Sequence, residues 1–134
     1  MEKSINNNSI SILKYAYIGD AFFELYVRNY LISNYNIKID EIHKLCTKIV
    51  CANSQSFIIK NLEEKNELFD EEINIYKKGR NTKTHSKSKN SDIIEYKHAT
   101  GFEALIGFLY LSNNFSRLKE LLKISMDIII DKVK

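Results

Sequence analysis

The sequence predicts an all-α fold, and three observations carry that expectation. The 134 residues include no proline and only four glycines, so little in the chain breaks a helix. Apolar residues recur at three- and four-residue spacing along most of its length, the period of a helix buried on one side. No segment shows the strict apolar–polar alternation of a half-buried strand. The length suits a single domain, 1–134, burying roughly two-thirds of its unfolded surface.

The elements follow in order. Residues 1–9 are polar and asparagine-rich, without the apolar core of a signal peptide, and are expected to be a flexible N-terminus. One long helix, rich in Tyr, Phe, Ile and Leu, is expected from Ile10 to about Tyr35. After a loop over Asn36–Ile39, Asp40 is the expected N-cap of a second helix. Its buried stripe is Ile42, Leu45, Cys46, Ile49 and Val50. Asn53 or Ser54 offers a cap for a third helix carrying Phe57, Ile58, Ile59 and Leu62. Asp70 is expected to cap a short fourth helix. Glu71 and Glu72 stand in its first turn and Lys77 and Lys78 at its end, an order that suits the helix dipole. Gly79 is the expected stop. Arg80 to about Ser91 reads as a polar, basic loop, and the basic region as a whole spans about 80–95. A helix is expected to resume near Tyr96 and run to about Leu111. Asn113 or Asn114 caps a last one with Leu118, Leu121, Leu122 and Ile128–Ile130.

Composition narrows the function class. A hydrophobic fraction of 44% and a charged fraction of 28% describe an ordinary soluble protein. A net charge of +3 is mildly basic, so where the charge lies matters more than its sum. No stretch approaches the roughly 20 apolar residues of a membrane span, and a cytoplasmic protein is expected. Cys46 and Cys51 stand five apart on a probable helix and point in different directions. They read as unbridged cysteines of a reducing compartment, with too few neighbouring ligands for zinc.

Two apolar segments contain acids. Tyr15–Tyr26 holds Asp20 and Glu24, and Ala99–Leu111 holds Glu103. Helices apolar on most sides are expected to be central, and a carboxylate there is costly unless paired, hydrogen-bonded or bound to metal. Arg28, four residues after Glu24, can pair with it, which leaves Asp20 and Glu103 without a local cation. Small residues (Gly19, Ala21, Gly101 and Gly107) would let the two helices approach and the acids meet around a hard cation. From these residues alone the alternative stays open. Asp20 can cap a helix break after Gly19, and Glu103 can reach solvent along an exposed stripe.

The segment Leu13-Lys14-Tyr15-Ala16-Tyr17-Ile18-Gly19-Asp20-Ala21 resembles the signature helix of the ribonuclease III family. Phe102-Glu103-Ala104-Leu105-Ile106-Gly107 with Leu109-Tyr110-Leu111 resembles that family's second acidic motif. The likeness runs from about Ile10 to the end. It departs at Ala16, where the family usually has Glu, and at Thr100, where it usually has Asp. No double-stranded-RNA-binding domain follows the second motif. These departures resemble the compact Mini-III branch, as do Lys78–Lys83, Lys89–Asp92, Ile42–Lys44 and Ala52–Gln55.

The resemblance implies a ribonuclease III-type helical endonuclease domain that hydrolyses both strands of double-stranded RNA, leaving 5′-phosphates. Mg²⁺ is the implied cofactor, with Asp20 and Glu103 as catalytic residues and metal ligands. Fewer carboxylates imply weaker Mg²⁺ binding than at a four-acid site. Asp92 and Glu24 are the candidates for an extra ligand. The implied substrate is the precursor of large-subunit (23S) ribosomal RNA, with a ribosomal protein as a further partner. One site cuts one strand, so a two-fold homodimer is implied. Phe22, Phe23 and Tyr26 are candidate interface residues, or simply core. Lys77, Lys78, Arg80, Lys83, Lys87, Lys89 and Lys97 are the expected RNA phosphate contacts, interleaved with Asn81, Ser86, Ser88 and Asn90. His85 and His98 are expected to touch RNA or solvent rather than act as bases. Two competing readings are a catalytically weak RNA-binding ribosome-assembly factor on the same fold and a helical protein-interaction domain with structural acids.

Overall fold

In the computed structural model, which describes residues 10–83 and 90–134, the chain forms six α-helices and, among the described residues, no strand. They are α1 (Ile12–Asn34), α2 (Ile39–Val50), α3 (Ala52–Glu64), α4 (Asp70–Asn81), α5 (Asn90–Leu111) and α6 (Phe115–Val133). The all-α expectation holds. Among the described residues no helix is long and apolar enough to cross a membrane.

α5 is the axis. Ala99, Phe102, Ala104, Leu105, Ile106 and Leu109 are buried on its successive sides, and α1, α3, α4 and α6 pack around it. α1 is not surrounded in the same way. Its buried residues, Tyr15, Ala16, Gly19, Phe23, Val27 and Leu31, form one helical stripe against α5, while Tyr17 is 84% exposed and Leu25 64%. The near-continuous apolar run of α1 therefore covers two faces, of which the fold buries only one.

Every glycine sits at a helix crossing. A Cβ on Gly19 would lie 1.8 Å from the backbone O of Glu103, and one on Gly107 1.8 Å from that of Tyr15. α4 meets α5 in the same way. A Cβ on Gly79 would come within 2.8 Å of Gly101 Cα, and one on Gly101 within 2.5 Å of the Tyr76 ring. Gly79 is thus a packing residue and not the expected stop, because α4 continues to Asn81.

The helix starts also differ from expectation by small shifts. α2 begins at Ile39, after Lys38, and places Asp40 inside its first turn. α3 begins at Ala52. Ser54, already helical, donates its hydroxyl back to the Lys48 carbonyl at 2.5 Å and ties the end of α2 to the start of α3. Asp70 is the first residue of α4 and not its cap. The Phe69 N–H instead donates to Glu72 Oε1 at 3.0 Å, and buried Glu72 accepts two bonds of 2.8 Å from Arg117 on α6. α5 begins at Asn90 and not near Tyr96, so the basic loop is shorter than its sequence suggested. A helix with few apolar residues in its first turns carries no periodic signal there. Cys46 is buried and Cys51 exposed, and both are free.

A glycine in a helix interior normally gains about 1 kcal/mol on replacement by alanine. At the α1–α5 crossing the sign should reverse, because the methyl must displace backbone. Gly107→Ala is expected to lower stability by about 3 kcal/mol in denaturant unfolding. A neutral or raised midpoint would show that the helices do not cross this closely.

Candidate active site

The crossing at Gly19 and Gly107 sets Asp20 on α1 beside Glu103 on α5. Asp20 is exposed and Glu103 partly buried, and the two carboxyls are near enough to influence each other's ionisation. Burial is the main reason that the Glu103 carboxyl is pushed up to about 9. The adjoining Asp20 raises it further, while an amide donor from Gln55 opposes the shift. In the metal-free protein Glu103 therefore holds its proton at neutral pH.

Gln55 is the functional neighbour that sequence reasoning passed over, naming it only as the end of the Ala52–Gln55 run. It lies on α3, 2% exposed, and its Nε2 donates to the Val50 carbonyl at 2.9 Å and to Glu103 Oε2 at 3.3 Å. Its Oε1 is buried and has no hydrogen-bond partner. The signal was available. Gln55 shares the helical stripe of Ile58, Ile59 and Leu62, so it is a polar residue on a buried face.

Of the other expected ligands, Glu24 does not join the pair. It is bound to Arg28 at 2.6 Å, the surface pair expected from their spacing. The side chain of Asp92 lies outside the described residues. Ala16 packs in a small apolar cluster with Tyr15 and Ala104. Thr100 is buried, and its hydroxyl donates to the Tyr96 carbonyl at 2.9 Å. Among the described residues no three His, Cys, Asp or Glu side chains converge. A divalent cation nonetheless fits the Asp20–Glu103 pair. The donors are all oxygen, two carboxyls crowd one another, and a buried amide oxygen beside them lacks a partner.

The cationic residues divide. Lys77 and Lys78 are exposed on α4 and, with Asn74, Asn81 and Thr82, line a groove against Ile12 at the start of α1. Lys83 and Lys97 are exposed, whereas Arg80 turns to the α5 side and lies 5.5 Å over the Tyr76 ring. Lys87 and Lys89, like His85, Ser86 and Ser88, lie outside the described residues, as does the N-terminus 1–9. His98 is neither free nor fully exposed. It stacks on Tyr76, whose hydroxyl lies 2.5 Å from His98 Nδ1, and burial followed by the charges of Lys60 and Arg80 holds its pKa below the usual value. Of the expected interface aromatics, Phe23 is 0% exposed and stands edge-on to Phe102, while Phe22 and Tyr26 are half-buried against the core. Phe23 belongs to the interior, Phe22 and Tyr26 keep part of their surface outside it, and the exposed large apolar residues of α1 are Leu13, Tyr17, Leu25 and Ile32.

Comparison with known proteins agrees with this geometry. Residues 13–114 match the family model described as the ribonuclease III domain. The chain is 42% identical over 114 residues to a Mini-ribonuclease 3 of Clostridium tetani, covering 84% of this chain and 74% of that protein. It is 39% identical over 117 residues to a Mini-ribonuclease 3 of Streptococcus pneumoniae, covering 87% and 91%. A crystal structure of a Fusobacterium nucleatum protein superimposes with a TM-score of 0.76 at 34% identity, covering 89% of this chain and 93% of that one. The matched span contains Asp20, Gln55 and Glu103 and both glycine crossings, and on this evidence the chain belongs to the ribonuclease III family, beside the Mini-ribonuclease 3 proteins.

Proposed function

We propose that Asp20 and Glu103 are the catalytic acids with which this chain cuts double-stranded RNA, using Mg²⁺, to mature the 23S ribosomal RNA precursor. As a member of its family the chain is an endoribonuclease, and family members use a divalent metal. The observation that supports the residue assignment is the meeting of the two carboxyls at the glycine crossing, one exposed and one held protonated by its surroundings. A bound divalent cation supplies positive charge to the scissile phosphate and makes an attacking water more acidic. Glu103 must first release its proton, and its place between packed helices fixes where its oxygens stand. Asp20, open to solvent, faces the substrate side and orients the water. Lys77 and Lys78 hold duplex phosphates along the groove at α4, with exposed Lys83 and Lys97 as further phosphate contacts. The outward face of α1 (Leu13, Tyr17, Leu25 and Ile32) suits the two-fold partner that double-strand cleavage needs, and it carries Asp20 at its border. The work belongs in the cytoplasm, where ribosomal RNA precursors are made.

Three outcomes test this reading. Asp20→Asn should leave duplex affinity within about two-fold and slow cleavage at saturating Mg²⁺ by roughly 100-fold or more. Undiminished cleavage would remove Asp20 from the chemistry. Lys78→Ala should weaken binding to all duplexes and reduce the slope of log affinity against log salt by about 1. A fall in turnover at unchanged affinity and slope would instead place Lys78 outside the RNA groove.

The third outcome concerns pH. In the metal-free protein the folded state holds a proton on Glu103 up to about 9, whereas the unfolded chain releases it near the ordinary glutamate value of 4.5. Folding therefore binds a proton in that window, and stability must fall as pH rises through it. Glu103→Gln should flatten this part of the curve and exceed the parent by about 1–3 kcal/mol at pH 8 without metal. Parallel pH curves for parent and variant would contradict the burial of this acid.

A further inference from the structure

We propose that Gln55 is a positioning residue of the metal site and supplies its third oxygen, an assignment that rests on the Asp20–Glu103 reading above. The amide cannot turn over freely. The Val50 carbonyl, 2.9 Å from its Nε2, can only accept, so it requires the N–H side there and would repel the oxygen. With the N–H groups so committed, Oε1 is left buried and unpartnered. A buried amide oxygen without a donor costs about 1–3 kcal/mol. No donor among the described residues relieves that cost.

The site has the complementary deficit. A hard divalent cation requires about six oxygens, and the convergent side chains offer two carboxyls. Ala16 and Thr100 cannot make up the difference, because one is apolar and the other bonds its own helix. Gln55 comes from a third helix, is anchored to Glu103 itself, and carries a buried acceptor without a hydrogen-bond partner. Its N–H side holds the Glu103 carboxyl, and its Oε1 is the oxygen free to ligate the cation.

The test is thermal melting against Mg²⁺ concentration without RNA, for the parent and Gln55→Met, followed by steady-state cleavage of a duplex. Methionine keeps length and helix preference but removes both polar atoms. The metal-free variant should melt at or above the parent temperature, because the orphaned oxygen is gone. The Mg²⁺ concentration at the midpoint of the metal-induced rise should increase about 10-fold. Turnover at low Mg²⁺ should fall and recover at high Mg²⁺, with KM for the duplex unchanged. A purely structural Gln55 would give the reverse, a lower metal-free melting temperature with an unmoved Mg²⁺ midpoint, and that result overturns the proposal. Should Gln55→Met fail to fold, Gln55→Glu carries the test through its retained oxygen. A midpoint within about three-fold of the parent supports the assignment, and a 10-fold rise overturns it. If the parent itself shows no Mg²⁺-induced rise, the metal site falls and the role of Gln55 with it. A responsive parent with an equally responsive Gln55→Met defeats the Gln55 assignment alone.

Discussion

The architecture depends on backbone touching backbone where α1 crosses α5. Side-chain packing tolerates adjustment, since rotamers and small shifts absorb a methylene here or there. A crossing in which a single Cβ would stand 1.8 Å from a carbonyl oxygen, on each of the two helices, has no such slack. α4 makes a second contact of this kind through Gly79 and Gly101. Glu103 lies on α5 between Gly101 and Gly107, within a span of roughly 9 Å at 1.5 Å per residue. Its position is therefore set by two backbone contacts, one on either side, and hardly at all by its own side-chain interactions. An acid whose backbone is held in this way keeps its place whether or not it is charged.

That placement has a thermodynamic consequence. An acid between Phe102, Ala104, Leu105 and Ile106, all 0% exposed, loses hydration that its few polar neighbours do not replace. That loss is the main reason its pKa is pushed up to about 9, with the neighbouring Asp20 adding to it. Any opposite charge delivered to the site recovers part of that cost, so the energy that the fold forgoes becomes selectivity for a cation. The orphaned amide oxygen of Gln55 belongs to the same economy, as a second polar group left incompletely satisfied at the same place. The buried Glu72–Arg117 pair shows the contrast. There the carboxylate receives two guanidinium bonds and the Phe69 N–H, and nothing is left wanting. One buried acid in this chain is a clasp, and the other is a vacancy for charge.

How much of this was legible beforehand follows from what sequence patterns encode. Helical periodicity and the scarcity of breakers made the all-α fold and most elements plain, and the two acidic segments stood out because acids in apolar runs are expensive. Gly79 was misread because a glycine near a basic helix end looks like a C-cap. Its actual role depends on a partner, Gly101, more than 20 residues away, which local spacing cannot reveal. The early start of α5 is not legible because Asn90, Ser91 and Asp92 open it with no apolar repeat. His98 was taken for a surface group, since its partner Tyr76 lies on another helix. Gln55 could have been found by asking which polar residue interrupts a buried stripe. That question had been put to carboxylates and not to amides.

The clearest error concerns α1, and it bears on the chemistry. The apolar run reads as a surrounded helix, whereas Phe23, Val27 and Leu31 are buried in the core while Tyr17, Leu25 and Ile32 face outward. Asp20 stands at the seam between these two faces. Its backbone is fixed by the Gly19 crossing, yet its carboxylate is open to solvent, while Glu103 one helix away is equally fixed but largely enclosed. Two carboxyls thus receive opposite environments on neighbouring helices, the kind of difference that can give paired acids different roles. The exposed member can meet an arriving phosphate or water. The enclosed member can wait uncharged until a cation makes ionisation worthwhile. A helix apolar on both sides is what allows this, because only there does a polar residue at the border belong at once to the core and to the surface on which a second copy would close.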